Sequence, residues 1–566
     1  MLFSSTLTSS WASMFFFPGR LIQPGSATLV RVGVVLFVSA VLAACQNAGP
    51  KDRSNTVGDE EPVARSDLSY PSSRRDAVVD EYFGQTVADP YRWLEDDRSR
   101  ATADWVRRQN KLTQSFLDAV PYRAQIAARL QRLLDYERVS APFREGEFTY
   151  FYRNNGLQNQ DVLYRQRDGE PEELFIDPNT FSEDGTISMS GLSLSPDASV
   201  LAYQLSEGGS DWLTIHVLDA ASGEPREAPL QNVKFSGISW VGSEGFYYSS
   251  YDRPDGSVLS AKTDTHKLFF HRLGTRQDED SLIFGGAASE QARYVGASVT
   301  EDQRFLLVSA STATSGNRLY LVDLDRMRQS PVADHQLIPV VDHERSDTRL
   351  VDSRGDTLFL YTNLDAPNGR VIRVDAATPT PDRWKDFIAE REQVLSVSTG
   401  GGYFFAKYLV DAATQVEQIN DRGALVRQIA LPDTGTASGF AGKYGEQELF
   451  YEFVNYRLPG TIFSFDVGNG ESQVYRRSNS SFASDNYVSR QVFFESADGT
   501  RIPMTITHKV GLEKNGSHPT LLYGYGGFNI SLRPRFSSTG AAWLELGGVY
   551  RKLYELQLSE EGAEVA

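Results

Sequence analysis

The sequence predicts a seven-bladed β-propeller placed between a helical N-terminal segment and the opening strands of an α/β domain. Three observations predict it. Seven similar strand signals recur between Ala141 and Asn486, at intervals of 51, 45, 59, 53, 45 and 46 residues. Before them, apolar residues fall at helical spacing. After them, an apolar run enters the glycine-rich stretch Gly524-Tyr525-Gly526-Gly527.

Composition narrows the function. The 566 residues hold 56 Lys+Arg against 74 Asp+Glu, a net charge of −18. That balance opposes nucleic-acid binding, which needs a basic face. The single cysteine, Cys45, excludes an intrachain disulfide framework and any Cys-rich metal centre. The seven histidines show neither HxxxH nor HExxH spacing, which opposes a helical zinc site.

Residues 1–45 read as a targeting segment. Val32 to Ala44 is apolar or small throughout, too short to cross a bilayer, and Arg20 and Arg31 precede it. The run ends Leu42-Ala43-Ala44-Cys45, which resembles a bacterial lipoprotein lipobox. That resemblance implies lipidation of Cys45, and Gln46 after it implies the outer membrane of the cell envelope, facing the periplasm. Several acyl chains would anchor the protein stably. The other reading is an ordinary secretory signal with a chance cysteine and a soluble periplasmic product; Met14 is an alternative start. Residues 46–69 are polar and read as a flexible tether.

Residues 70–140 read as helical. Pro90 holds Asp89 extended. A helix is expected from Ser99 to Ala119, with Trp105, Leu112, Phe116 and Ala119 on one stripe, and Pro121 ends it. A second runs from Arg123 to Asp135, with Ile126, Leu130, Leu133 and Leu134 on one face.

Residues 141–486 carry the repeat. The strand signals are TYFYR at Tyr150, LAYQLS at Leu201, FYYSSY at Phe246, FLLVSAS at Phe305, LFLYTN at Leu358, YFFAKY at Tyr403 and LFYEFV at Leu449. Several continue through a polar turn into a second strand, as in Asn317–Val322 and Gly369–Val374. A period near fifty residues fits four strands per propeller blade. Two β-sandwiches also space strands evenly, but they do not predict this period seven times.

Residues 487–550 turn α/β. Val492–Ser496 and Ile502–Thr507 flank Asp498-Gly499, a hairpin signal. Pro519–Tyr523 reads as a buried strand running into the glycine-rich loop, whose backbone N–H groups suit an oxyanion or phosphate. No GK[ST] follows, so it is not a P-loop.

Four separated segments, RRDAVVDEYFGQTVADPYRWLED (from Arg74), ADWVRRQN (from Ala103), NGLQNQDVLYRQ (from Asn155) and LLYGYGGFNISLRP (from Leu521), resemble prolyl oligopeptidases in the family's order. The resemblance covers about Tyr70 to Tyr550. It implies a seven-bladed β-propeller inserted in an α/β-hydrolase domain, of which the N-terminal helical piece and the first C-terminal strands are present here. It implies a serine peptidase that cleaves short proline-containing peptides, with the propeller restricting access, and serine acyl transfer calls for no metal and no cofactor. Tyr525 matches the family's oxyanion-donating tyrosine, and Phe528 matches a substrate-pocket wall.

The family's nucleophile, acid and base have no counterpart in these residues. No G-x-S-x-G elbow occurs. The nearest segments, Gly191-Leu192-Ser193-Leu194-Ser195 and Gly296-Ala297-Ser298-Val299-Thr300, lie in the repeats, and no histidine follows His518. After Tyr550 the residues RKLYELQLSEEGAEVA leave the family pattern. The expectation is a frameshift or premature stop near Tyr550, or a real shortened product, with residues 551–566 a poorly ordered, unrelated tail. Exposed apolar surface is then expected around Leu521, Leu522 and Trp543. Two functions compete: a peptidase represented by a catalytically incomplete chain, and a membrane-tethered propeller that binds peptides or proteins without hydrolysis.

Overall fold

The structure, a computed structural model, describes residues 68–252, 265–329, 337–525 and 531–553. Cys45, Phe528, residues 46–67 of the expected tether and residues 554–566 of the expected tail lie outside the described residues. Two compact units divide the chain, the smaller containing described residues up to Gln131 and the larger beginning at Arg132.

The smaller unit opens with a hairpin, Val79–Tyr82 against Gln85–Ala88. The sequence reading did not include it, because its turn is Phe83-Gly84 rather than the usual Asn-Gly. Both turn residues take positive φ, 51° and 77°, as a two-residue hairpin turn of this hand requires. Arg92 ties the hairpin to the next turn through Asp80 and through Asp89 at 2.5 Å. The first long helix spans Arg100–Asp118, and Ser99 caps it by accepting from the Thr102 N–H at 3.1 Å. The second spans Arg123–Leu134. Both agree with the apolar spacing to within a residue.

In the larger unit, six antiparallel sheets follow one another from Arg138 to Arg477 among the described residues. The second, Ile187–Phe284, has eight strands. Its two halves are joined by the single pair Val233↔Ser250. Every one of the seven strand signals lies in a strand second, or second-like, in its run: Phe148–Asn154, Val200–Glu207, Gly245–Tyr251, Phe305–Ser311, Thr357–Thr362, Tyr403–Val410 and Glu448–Val454.

Packing explains why those strands are apolar on both faces. Successive side chains of a strand point to opposite sides. Leu306 packs with Tyr247 and Leu268 of the preceding sheet, while Leu307 packs with Leu360 and Ile372 of the following one. Phe404 joins Phe359 and Val371, and Phe405 joins Tyr451 and Phe465. Each middle strand is therefore shared between two cores and reads as a continuous apolar run. The first and sixth of these sheets meet through charge: Arg144 pairs with Glu448 at 2.8 Å, Lys443 with Glu145 at 2.5 Å, and Arg476 with Glu172 at 3.5 Å.

The last sheet orders its strands as Tyr487–Glu495, Arg501–Lys509, Val549–Leu553, Thr520–Tyr523. The first two form the expected hairpin. Thr520–Tyr523 runs parallel to Val549–Leu553, with the helix Ser538–Glu545 between them in sequence, a β-α-β unit. Two expectations change. Thr520–Tyr523 is not buried: it is the edge strand, and Leu522 and Tyr523 are 57% and 43% exposed, whereas Leu521 is half-buried. Arg551 and Lys552 do not begin a loose tail but pair with Ile506 and Thr505 on one side and Leu522 and Tyr523 on the other. Trp543 is half-buried, its indole donating to the Val549 carbonyl at 2.9 Å.

Candidate functional site

The strand Thr520–Tyr523 ends at Gly524 and delivers Tyr525, half-buried, just beyond the edge of the last sheet. The neighbouring strand supplies Lys552, whose ammonium lies 5.5 Å from the Tyr523 ring centre and 5.6 Å from that of Tyr456. Burial and the charge of Arg535 pull the Lys552 pKa down to about 8. Tyr456 meets Tyr550 edge-on at 6.4 Å.

A second feature was not legible in the sequence. The first strand of each sheet is an edge strand, and several of these border a cavity of about 200 Å³. Ser190, Ser193, Gly296, Ser298, Thr348 and Arg349 line it. The two near-elbow segments, at Ser193 and Ser298, are thus extended strand and cavity wall, not nucleophile turns. Small side chains and unpaired edge groups make this wall polar and close to the backbone.

Arg349 and Asp347 are the cavity's charged lining residues. The Arg349 guanidinium lies over the Tyr361 ring at 3.8 Å. Gly369 makes room for that stack: its φ is +85°, and a Cβ there would sit 2.3 Å from the Tyr361 hydroxyl. Burial lowers the Arg349 pKa, opposed by Tyr361 and Asp347. Asp347 is itself engaged, accepting from the Gly316 N–H at 2.8 Å.

Lys407 reaches between two neighbouring inner strands. Its ammonium donates to Ser398 Oγ at 2.8 Å and to the Gly439 carbonyl at 3.1 Å. Burial, then the charges of Arg533 and Arg349, draw its pKa down to about 7. Arg533 belongs to the stretch after the glycine-rich loop, which is fastened to the last propeller sheet by Thr436 Oγ1 donating to the Pro534 carbonyl at 2.8 Å. Arg533 keeps water contact yet is hemmed in by protein, which lowers its pKa as well. Among the described residues, no carboxylate lies within ion-pair distance of Arg349, Lys407 or Arg533.

Comparison with known proteins follows the same lines. Residues 70–478 match the model of the prolyl oligopeptidase N-terminal β-propeller domain. The chain is 51% identical over 484 residues to a prolyl endopeptidase of Elizabethkingia miricola, a match covering 85% of this chain and 68% of that protein. It is 31% identical to prolyl oligopeptidase A of Galerina marginata, covering 85% and 70%. Among solved structures, one from a study of two prolyl endopeptidases and their inter-domain dynamics aligns with a TM-score of 0.78 at 29% identity, covering 86% of this chain and 71% of that one. Prolyl oligopeptidase B of Galerina marginata, bound to a 35mer hydrolysis and macrocyclization substrate, aligns with a TM-score of 0.77 at 28% identity, covering 86% and 72%.

Proposed function

The chain belongs to the prolyl oligopeptidase family, and from that premise we propose that its residues carry the peptide-admitting and oxyanion-binding part of a proline-directed serine peptidase. The six sheets from Arg138 to Arg477 are read as seven blades, the eight-stranded sheet counting as two at its single-pair joint. The sheet from Tyr487 to Leu553 is read as the opening of an α/β-hydrolase domain. The observation that carries the reading is the parallel β-α-β unit whose edge strand delivers Tyr525.

In this reading short proline-containing peptides enter past the propeller. Tyr525 donates its hydroxyl proton to the oxygen that becomes negative when a peptide carbonyl is attacked. That hydrogen bond strengthens as charge develops, so it favours the transition state over the bound substrate. Phe528 forms part of the pocket wall by family resemblance. The attacking hydroxyl and the imidazole that takes its proton are not supplied by these 566 residues: no G-x-S-x-G occurs and no histidine follows His518. Peptide is therefore held without being cut. Cys45 anchors the chain by lipid to the cell envelope.

The alternative is a membrane-tethered propeller that binds peptides or proteins without hydrolysis; the polar cavity bordered by the sheets' edge strands favours it. Purified 566-residue protein with a proline-specific fluorogenic peptide tests the proposal. Binding without turnover is expected. Turnover that a serine-directed inhibitor blocks would overturn it.

A further inference from the structure

Charge is unevenly spread along the chain. The whole carries −18, yet residues 98–131 hold seven Lys+Arg against two Asp. Within the smaller unit, Arg74, Trp93, Asp104, Arg107, Arg108 and Lys111 line one open groove of about 600 Å³. Asp104, Arg107, Arg108 and Lys111 recur at the three- and four-residue steps of one face of the helix Arg100–Asp118. Off the helix, Trp93 donates its indole N–H to the Arg74 carbonyl at 3.0 Å, and the Arg74 guanidinium lies 4.7 Å from its ring centre. One carboxylate thus stands among four cations in the lining. Asp104 pairs with Arg107, and Arg74 pairs with Asp76 at 3.0 Å. Arg108 donates to the Ser72 carbonyl at 3.3 Å. Among the described residues, neither Arg108 nor Lys111 has a carboxylate in ion-pair contact. All three helix cations are exposed.

Long, exposed cations on an open groove do not enclose one small anion. They suit a surface that offers many anions at once, where each Lys or Arg near it adds to binding. An anionic bilayer is such a surface. The length of chain ahead of this unit points the same way. Twenty-two residues, 46–67, separate Cys45 from Leu68, and a flexible polar chain of that length reaches on the order of 25 Å. A lipid at Cys45 would keep the groove that close to headgroups. The second encounter is then intramolecular, and a few charges suffice for it. Residues 132–566, which carry the negative excess, are repelled by the same surface.

We propose that this groove is a docking surface for an anionic lipid bilayer, with Arg107, Arg108 and Lys111 gripping phospholipid headgroups. This rests on the reading that Cys45 anchors the chain, and it adds a second contact to that anchor. An acyl group alone leaves a unit free to turn about its tether. A basic face removes that freedom, because it sets which side of the unit approaches the membrane. The contact is electrostatic between exposed groups, so salt weakens it.

The experiment floats the full 566-residue chain, carrying Cys45→Ser so that no acyl group contributes, with two kinds of vesicle. One is phosphatidylcholine alone; in the other about a third is replaced by phosphatidylglycerol. Binding is expected to the anionic vesicles well above the neutral ones, which also read any insertion by the apolar run Val32–Ala44. Changing Arg107, Arg108 and Lys111 together to Gln is expected to weaken anionic binding about hundredfold, near fivefold for each charge. Arg107→Lys with Arg108→Lys, which keeps both charges, is expected to bind as the parent does, which separates loss of charge from loss of fold. Equal binding to the two vesicles, or a Gln variant as tight as the parent, would overturn the docking surface. Release by millimolar inorganic phosphate at constant ionic strength would overturn the assignment to a bilayer, since the groove would then hold a small anion. The mass of the Cys45 chain recovered from bacterial membranes reads the anchor separately. An unmodified cysteine would overturn the anchoring reading, whatever the vesicles show.

Discussion

His271 offers a quantitative test of how the propeller sheets are held. Its ring is almost entirely buried, with Nδ1 2.8 Å from Asp280 Oδ1 and Nε2 3.0 Å from Glu227 Oε1. Burial alone would lower its pKa, but hydrogen bonds from both ring nitrogens to Asp280 and Glu227 outweigh it and raise the value to about 9. The unfolded chain takes an ordinary value near 6.5. The folded state thus binds the proton more tightly. Its contribution is fully present below pH 6.5 and is lost as pH rises through about 9. At about 1.4 kcal/mol per pH unit, the contribution is roughly 3 kcal/mol. His271→Gln should therefore destabilise the protein about 3 kcal/mol more near pH 6 than near pH 10. Urea unfolding of both proteins, followed by tryptophan fluorescence, measures this; Trp240 reports on the region, since it packs on Phe246 and Phe246 packs on His271. Equal destabilisation at the two pH values would refute the reasoning, because the histidine would then act by shape and not by charge.

Two further predictions concern buried polar groups. His266 is buried, with Nε2 donating to the Lys234 carbonyl at 2.9 Å and Nδ1 accepting the Val295 N–H at 2.8 Å, and burial lowers its pKa to about 3. The unfolded chain gains a proton below pH 6.5 that the folded one refuses, so stability should fall as pH drops from 6.5 toward 3; 15N NMR of the ring should show it neutral at pH 5, and a charged ring there would contradict this. Lys443→Met should cost about 3–5 kcal/mol by leaving Glu145, 4% exposed, without its partner between the first and sixth sheets; a double change with Glu145→Gln should recover most of that loss in thermal unfolding, and additive losses would contradict the pairing.

The seven strand signals were legible because each middle strand is shared by two cores, so its apolar run is unbroken. The innermost strands were not. Ser190-Gly191-Leu192-Ser193 and Gly296-Ala297-Ser298 carry small residues of low strand preference, and only pairing with the next strand of the same sheet, Val200–Glu207 or Phe305–Ser311, makes them strands. The sandwich alternative fails on the same ground: neighbouring sheets share cores in succession around Leu306 and Leu307 rather than as two facing layers.

At the candidate site, Tyr525 was singled out by the resemblance of its segment to the family's, and it follows the edge strand Thr520–Tyr523. The reading of Pro519–Tyr523 as buried failed because apolar runs look alike at the centre and at the edge of a sheet. Lys552 was assigned to a tail, since nothing in its local sequence shows that it pairs with Tyr523.

The central claim is that these residues hold a prolyl peptide but supply no activated hydroxyl and no imidazole to cut it. Equilibrium binding and product formation, followed together on one labelled prolyl peptide with the purified 566-residue chain, test it most directly. The account predicts saturable binding with the peptide recovered intact. Cleavage after proline that scales with the amount of this chain alone would contradict it.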